Sequence, residues 1–338
     1  MRALTSVVLV WIGVAALTLA CGSTDRGLSS TVDPTPPEGA DGGPQGTLGS
    51  SGGPGDSGAK ATPGTMLLYA HTDTTLYQVD PEHLDQPPQT VGDFDCIGKS
   101  GKAATSMTDL AVSKDGKLFG VSEGAAFPLE VMGSRVHCGA TWSLPMTRFY
   151  GLTFAPENTL AAAEVLIGAD GEGGLWQIDP TSGTPTQVGT LGVDKKTGKP
   201  WALSGDIVFL ANAGSPVGFA TVRTCASSGT SCSPNDTLIE VDVKAVKPGK
   251  QSVLKAIRGP VTKGAWCTNA DSPKSFGGMF GIVAYKDKVF GFSRAGDIVE
   301  IHNNDGSGCL ISADPAKKFA GAGVTTTAPV VAPPPVVN

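Results

Sequence analysis

Helical periodicity is the first thing this chain lacks. Outside the N-terminus no long run places apolar residues at i, i+3, i+4 and i+7, which excludes helical bundles and folds built on crossover helices. Aromatic residues are scarce at 6%, and charged residues reach only 17%. A net charge of −6 provides no basic footprint for phosphates, so nucleic acid is excluded as a partner. Histidine is rare as well: His71, His83, His137 and His302 lie far apart and read as exposed loop or strand residues. Neither a second histidine at ligand spacing nor a Cys-x-x-Cys pair is present to complete a metal set. Gly98-Lys99-Ser100 is no phosphate loop, because Gly92 sits one residue too early and no apolar strand leads in. The pairs Asp115-Gly116, Asp170-Gly171 and Asp305-Gly306 lack the alternating carboxylates of a calcium loop and read as hairpin turns.

What is present is turn chemistry and short alternating runs. The 338 residues, with 46 Gly and 25 Pro to make turns, suffice for one large β-domain with a real core or for two smaller ones. The stretch from Cys96 to Cys138 recurs, ungapped and with equal spacing, from Cys267 to Cys309. Within it, VSKDGKLFGVS from Val112 lines up with VAYKDKVFGFS from Val283. A second kind of half-module is a strand ending on Asp and a turn, as in TLYQVDP from Thr75 and GLWQIDP from Gly174. There Asp accepts locally, Pro fixes φ and a following Gly takes positive φ.

Two hairpin halves make a four-stranded sheet, and such sheets repeated every 40 to 55 residues or so predict an all-β fold, a β-propeller. From Thr65 to Pro329 the chain resembles bacterial extracytoplasmic propellers with LYxIDPxTG-type repeats. That resemblance implies an architecture and carries no activity with it. Inner strands are expected to start near Asp109, Gly151, Gly205 and Met279, with a fifth in FAGAGVTTT from Phe319. Five blades follow, closed by pairing the C-terminal strand with the first blade, which removes an exposed sheet edge. A sixth blade between Gly205 and Met279, and a two-sheet sandwich, are the alternatives.

Residues 1–20 carry one Arg, an apolar run and small residues before Cys21, the pattern of a signal peptide. Thr18-Leu19-Ala20-Cys21 resembles a bacterial lipobox, with Thr18 where that family prefers Leu. The resemblance implies acylation at Cys21 and, with Gly22 and Ser23 following, an anchor in the outer membrane facing the periplasm or the medium. Residues 21–64 are Gly-, Ser- and Pro-rich and read as a disordered tether with a typical span of roughly 35–40 Å. Gly55-Asp56-Ser57-Gly58 echoes a trypsin-like nucleophile motif, but it lies in this tether with no histidine upstream. Residues 330–338 form a Pro/Val-rich tail.

After Cys21, the even set Cys96, Cys138, Cys225, Cys232, Cys267 and Cys309 predicts disulfides in an exported chain. The internal repeat favours Cys96–Cys138 and Cys267–Cys309, leaving Cys225–Cys232. Asp109 and Asp206 both begin proposed inner strands, so they stand as candidate ligands for a channel-mouth cation or polar ligand, with Tyr150 and Phe280 on the same rim. The plainer reading has each carboxylate accept backbone amides where its strand begins. Trp142, Trp176, Trp201 and Trp266 read as packing rather than a glycan platform.

No catalytic residue set and no confident cofactor emerge. The expectation is an envelope lipoprotein that displays a propeller for non-catalytic binding of a protein or glycan, or for scaffolding, with the membrane as partner through its lipid anchor. A metal-dependent hydrolase, lyase or lactonase with its site at the channel mouth is the alternative, and a passive structural envelope protein is a third reading.

Overall fold

In the computed structural model the chain divides into two units, Met1–Gly53 and Pro54–Asn338. Residues 66–98, 104–144, 149–210, 216–225 and 232–327 are described, all within the second unit. The signal peptide, Cys21, the tether and the Pro/Val tail lie outside the described residues.

Among the described residues the one helical element is a short 3-10 turn, Val243–Ala245. The first strands are β1 (Leu68–His71), β2 (Thr75–Val79) and β3 (Gln89–Phe94). Next come β4 (Asp109–Val112), β5 (Leu118–Val121), β6 (Ala125–Met132), β7 (Arg135–Cys138) and the short β8 (Trp142–Ser143). A third set is β9 (Phe149–Ala155), β10 (Val165–Asp170), β11 (Gly174–Ile178) and β12 (Pro185–Thr190). The fourth is β13 (Trp201–Leu210), β14 (Val217–Thr224), β15 (Thr237–Val241), β16 (Gly249–Ser252) and β17 (Leu254–Pro260). The last are β18 (Met279–Tyr285), β19 (Lys288–Ser293), β20 (Asp297–Ile301), β21 (Gly308–Ala313) and β22 (Gly321–Val324).

Their pairing makes a five-bladed β-propeller. Blade one is β22-β1-β2-β3, blade two β4-β5-β6-β7, blade three β9-β10-β11-β12, blade four β13-β14-β15-β17 and blade five β18-β19-β20-β21. The ring closes as the repeats predict: β22 pairs with β1, Leu68 opposite Val324 and His71 opposite Gly321. Two further pairings cover outer edges. β3 runs parallel to β7 and joins blades one and two, and β16 leaves blade four to lie parallel on β12. Among the described residues no sixth blade lies between Gly205 and Met279; β14, β15 and β17 complete blade four there.

The disulfides follow the repeat. Cys96–Cys138 and Cys267–Cys309 each tie the segment entering a blade to that blade's outer strand, and Cys225–Cys232 closes a short loop. One inner strand starts earlier than its sequence suggests: β13 begins at Trp201 rather than Gly205. Its register shifts between Leu203 and Ile207, so a bulge at Ser204–Asp206 interrupts the alternation and hides the first half of the strand.

Five apolar clusters fill the seams between neighbouring blades. Phe94 and Phe127 share the cluster between blades one and two, Phe119 meets Phe154 between two and three, and Ile167 and Phe209 share the cluster between three and four. Phe219 meets Met279 between four and five, and Phe292 meets Phe319 and Leu68 between five and one. Each such buried side chain contributes about 1.5–3 kcal/mol.

Five inner strands converging on one axis leave no room for side chains where they cross. A methyl group at Gly205 would sit 1.5 Å from the carbonyl oxygen of Met279, and one at Gly281 2.4 Å from the amide of Ala322. Gly205→Ala is therefore expected to cost more than about 3 kcal/mol in urea unfolding, the upper range for overpacking. Gly124→Ala, where nothing lies within 4 Å of the added carbon, should change stability little. Equal effects from the two substitutions would disprove axial crowding as the constraint.

Candidate functional site

The two candidate carboxylates are not at an open rim. Asp109 is 0% and Asp206 1% exposed, so both lie inside the hub. Each reaches across a seam. Asp109 on β4 of blade two accepts the amide of Leu152 on β9 of blade three at 2.6 Å. Asp206 on β13 of blade four accepts the amide of Ile282 on β18 of blade five at 3.0 Å, and its own neighbour Ile207 at 2.5 Å. Hydroxyls repeat the pattern: Thr108 donates to the Phe149 carbonyl and Thr221 to the Met279 carbonyl. The plainer reading of these aspartates therefore holds and widens, because the amides they accept belong to the next blade as well as to their own strand.

A third carboxylate does similar work. Asp236, 0% exposed at the foot of β15, accepts the Met279 amide at 2.7 Å. It also takes the Ser204 hydroxyl and faces Arg223 at 3.5 Å. The sequence marks it only as the first residue of the repeat piece DTLIEVDV, with no sign of the distant amide it holds.

The fourth member was missed for a physical reason. His71 was expected on the surface, yet it is 0% exposed at the end of β1. A histidine at a strand end reads as solvent-facing until ring closure lays β22 over it. Its Nδ1 donates to the Thr72 carbonyl at 2.8 Å, which leaves Nε2 as a bare acceptor. Nε2 lies 4.0 Å from Oδ1 of Asp109, and among the described residues neither atom has a hydrogen-bond partner in good geometry. Gly321 closes this gap: a methyl group there would sit 2.2 Å from Asp109 Oδ1 and 2.3 Å from His71 Nε2.

Burial governs the charges. It lowers the His71 pKa to about 4, so the imidazole is neutral at physiological pH. Burial raises the Asp206 carboxyl to about 8. Burial first, then the adjoining Asp206 carboxylate, push Asp109 well above the usual range. Among the described residues no three His, Cys, Asp or Glu side chains converge so as to hold a metal ion.

Above the hub, Phe280 lies half-buried under the Arg294 guanidinium, 5.2 Å from its ring, and Arg294 pairs with Asp73 at 2.8 Å. Tyr150 packs against the core shared by blades three and four. The tryptophans serve packing. Trp142 stacks on Phe119, Trp176 donates to Asp170, and Trp201 is buried. Trp266, the most exposed, is covered on one face by His302 at 3.8 Å.

The opposite end of the axis is different. Where the inner strands finish, a shallow pit with a cavity volume of about 30 Å³ opens between four blades. Thr153, Phe154 and Pro156 line it from blade three, Val208 from blade four, Lys286 and Asp287 from blade five and Val324 from blade one. Walls are mostly apolar, and Asp287 and Lys286, the latter paired with Glu82 at 2.6 Å, stand at the rim. Lys286 and Asp287 form a two-residue hairpin turn with φ of 47° and 63°, where the repeat's other copy has Asp115-Gly116. That departure from turn-forming sequence is the one signal that could have drawn attention to this end.

No family model and no curated protein matches the chain. Solved structures resemble it in fold alone. A structure described as the Dos1 propeller matches at 13% identity and a TM-score of 0.36 over 72% of this chain and 54% of that one. One described as U3-55K matches at 10% identity and 0.37 over 72% and 59%. A third, reported under the de novo evolutionary emergence of a symmetrical protein, matches at 12% identity and 0.39 over 80% and 100%. The chain thus spans just over half the length of the first two. The class is a β-propeller on the strand pairing itself, and at these scores the likenesses carry no functional argument.

Removing the Asp236 carboxylate leaves the buried Met279 amide and the Ser204 hydroxyl without their acceptor and Arg223 without its ion-pair partner. Asp236→Ala is expected to lose about 1–3 kcal/mol in chemical denaturation. A loss below that range would mean the blade four to blade five tie is unimportant.

Proposed function

We propose that this protein is a lipid-anchored propeller of the cell envelope that binds a protein or glycan without transforming it, using the pit at the open end of its axis. The pit is the observation that carries the reading. It is concave, lined by four blades, apolar in its walls and polar at its rim, a shallow seat suited to part of a larger partner's surface rather than to an enclosed small molecule. The hub carboxylates, by contrast, are enclosed and occupied by backbone amides, a placement that favours binding over a channel-mouth metal enzyme. The anchor reading rests on the signal-like N-terminus and the lipobox resemblance at Cys21, and the tether lets the propeller stand clear of the headgroups.

The test uses the full chain with Cys21→Ser, so that it stays unacylated, probed on arrays of peptides and envelope glycans. At least one ligand should bind in the micromolar range and weaken at least tenfold, by about 1.4 kcal/mol, with Thr153→Trp, which fills the pit. Ligands indifferent to that substitution would place binding elsewhere, and an empty array would favour a passive structural role. In cells, radiolabelled palmitate should label the native chain and spare Cys21→Ser; equal labelling would remove the anchor from the proposal.

A further inference from the structure

One cluster is left over from this function. His71, Asp109 and Asp206 touch every blade of the ring. His71 belongs to blade one, Asp109 to blade two and Asp206 to blade four. The amides they hold come from Leu152 in blade three and Ile282 in blade five. Two carboxyl groups side by side, shut away from water, cannot both be ionised without strong mutual repulsion. Each still has to accept an amide from the next blade. A pair that keeps one proton satisfies both demands, because a protonated carboxyl retains acceptor capacity on its other oxygen.

We propose that Asp109, Asp206 and His71 form a proton-held latch at the hub: the five blades close around a protonated carboxyl pair, and loss of that proton loosens the ring. The proton sits on Asp109 Oδ1, since Oδ2 accepts the Leu152 amide and Oδ1 receives no donor. On loss it passes to hydroxide or a buffer base, leaving two adjacent carboxylates. Neutral His71 offers only the bare Nε2 and cannot compensate them. The other charged groups facing the cluster are Asp73 and Arg294, which pair with each other at 2.8 Å. From β9, β18 and β22 come only backbone amides and Gly321.

The sign of the effect follows. The carboxyl pair binds protons more tightly folded than unfolded, so its contribution is complete at low pH and is lost as pH rises from about 4 toward about 8. His71 binds its proton less tightly folded, with its pKa lowered to about 4, so its contribution grows between about 4 and 6.5 and is constant above. Below pH 6.5 the two oppose each other. Above it only the carboxyl pair remains, and the ring weakens. Exposed His83, raised by Asp80, and buried Asp236, raised by its burial, add loss in the same direction, which comparison with a hub variant removes.

The experiment is urea unfolding of the full chain with Cys21→Ser between pH 6.5 and 8.5, alongside Asp109→Asn in the same background. Asparagine keeps an acceptor for the Leu152 amide and places an uncharged NH2 where the protonated oxygen sits. The folding constant of the parent should fall about tenfold per pH unit for the one retained proton. In Asp109→Asn the fall should be shallower, since only Asp206 then remains to titrate, and the folding constant should exceed the parent's at pH 8.5. Parallel slopes would overturn the latch. Should Asp109→Asn not fold, carboxyl carbon NMR of the aspartate-labelled parent decides, with the Asp236 signal assigned through Asp236→Asn: another aspartate signal still at its protonated position at pH 7 supports the latch, and every aspartate other than Asp236 ionised there overturns it.

Discussion

Everything in this propeller depends on how closely five strands can approach one axis. With five blades the inner strands leave almost no channel, so glycine stands where backbones cross and the amides facing the axis are cut off from water. Buried amides need acceptors. Carboxylates supply them, and because they reach from one blade to the next they also set the order and spacing of the ring. Asp109 to Leu152 and Asp206 to Ile282 are the same contact made twice, at seams two-three and four-five.

That solution has an electrostatic consequence. Carboxylates brought together in a dry hub favour their neutral form, and a histidine enclosed beside them favours its own. The groups that in an open site would act as ligands or bases are here committed to the architecture. The two ends of the axis differ as a result: one is sealed by polar contacts and Gly321, and the other opens into the apolar pit. Away from the axis the outer edges are secured by other means. Cystines tie entering segments to outer strands, and parallel pairings of β3 with β7 and β12 with β16 occupy edges that would otherwise invite association.

The architecture was legible because it is periodic and local. The Cys96–Cys138 repeat, the strand-Asp-turn pieces and the unpaired first blade specify modules, cystine partners and closure by residues near Phe319, since each follows from alternation, turn chemistry or repeat symmetry. The site was legible only in part. Asp109 and Asp206 were found because they stand at equivalent strand starts, but their burial was not, because it depends on how tightly strands far apart in the chain converge. His71 was misread as exposed: it is covered by β22, more than two hundred residues away. Asp236 was marked only as the start of a repeat piece, since a turn aspartate that holds a distant amide has the same local sequence as one that faces water.

Sequence alone thus determined an all-β chain of repeated four-stranded modules with paired cystines, because strand alternation and turn residues act over a few neighbours. Tertiary structure decided which end of the axis is open, which polar groups are enclosed and which amides they hold. Those properties belong to distances between blades, and no single stretch of chain contains them.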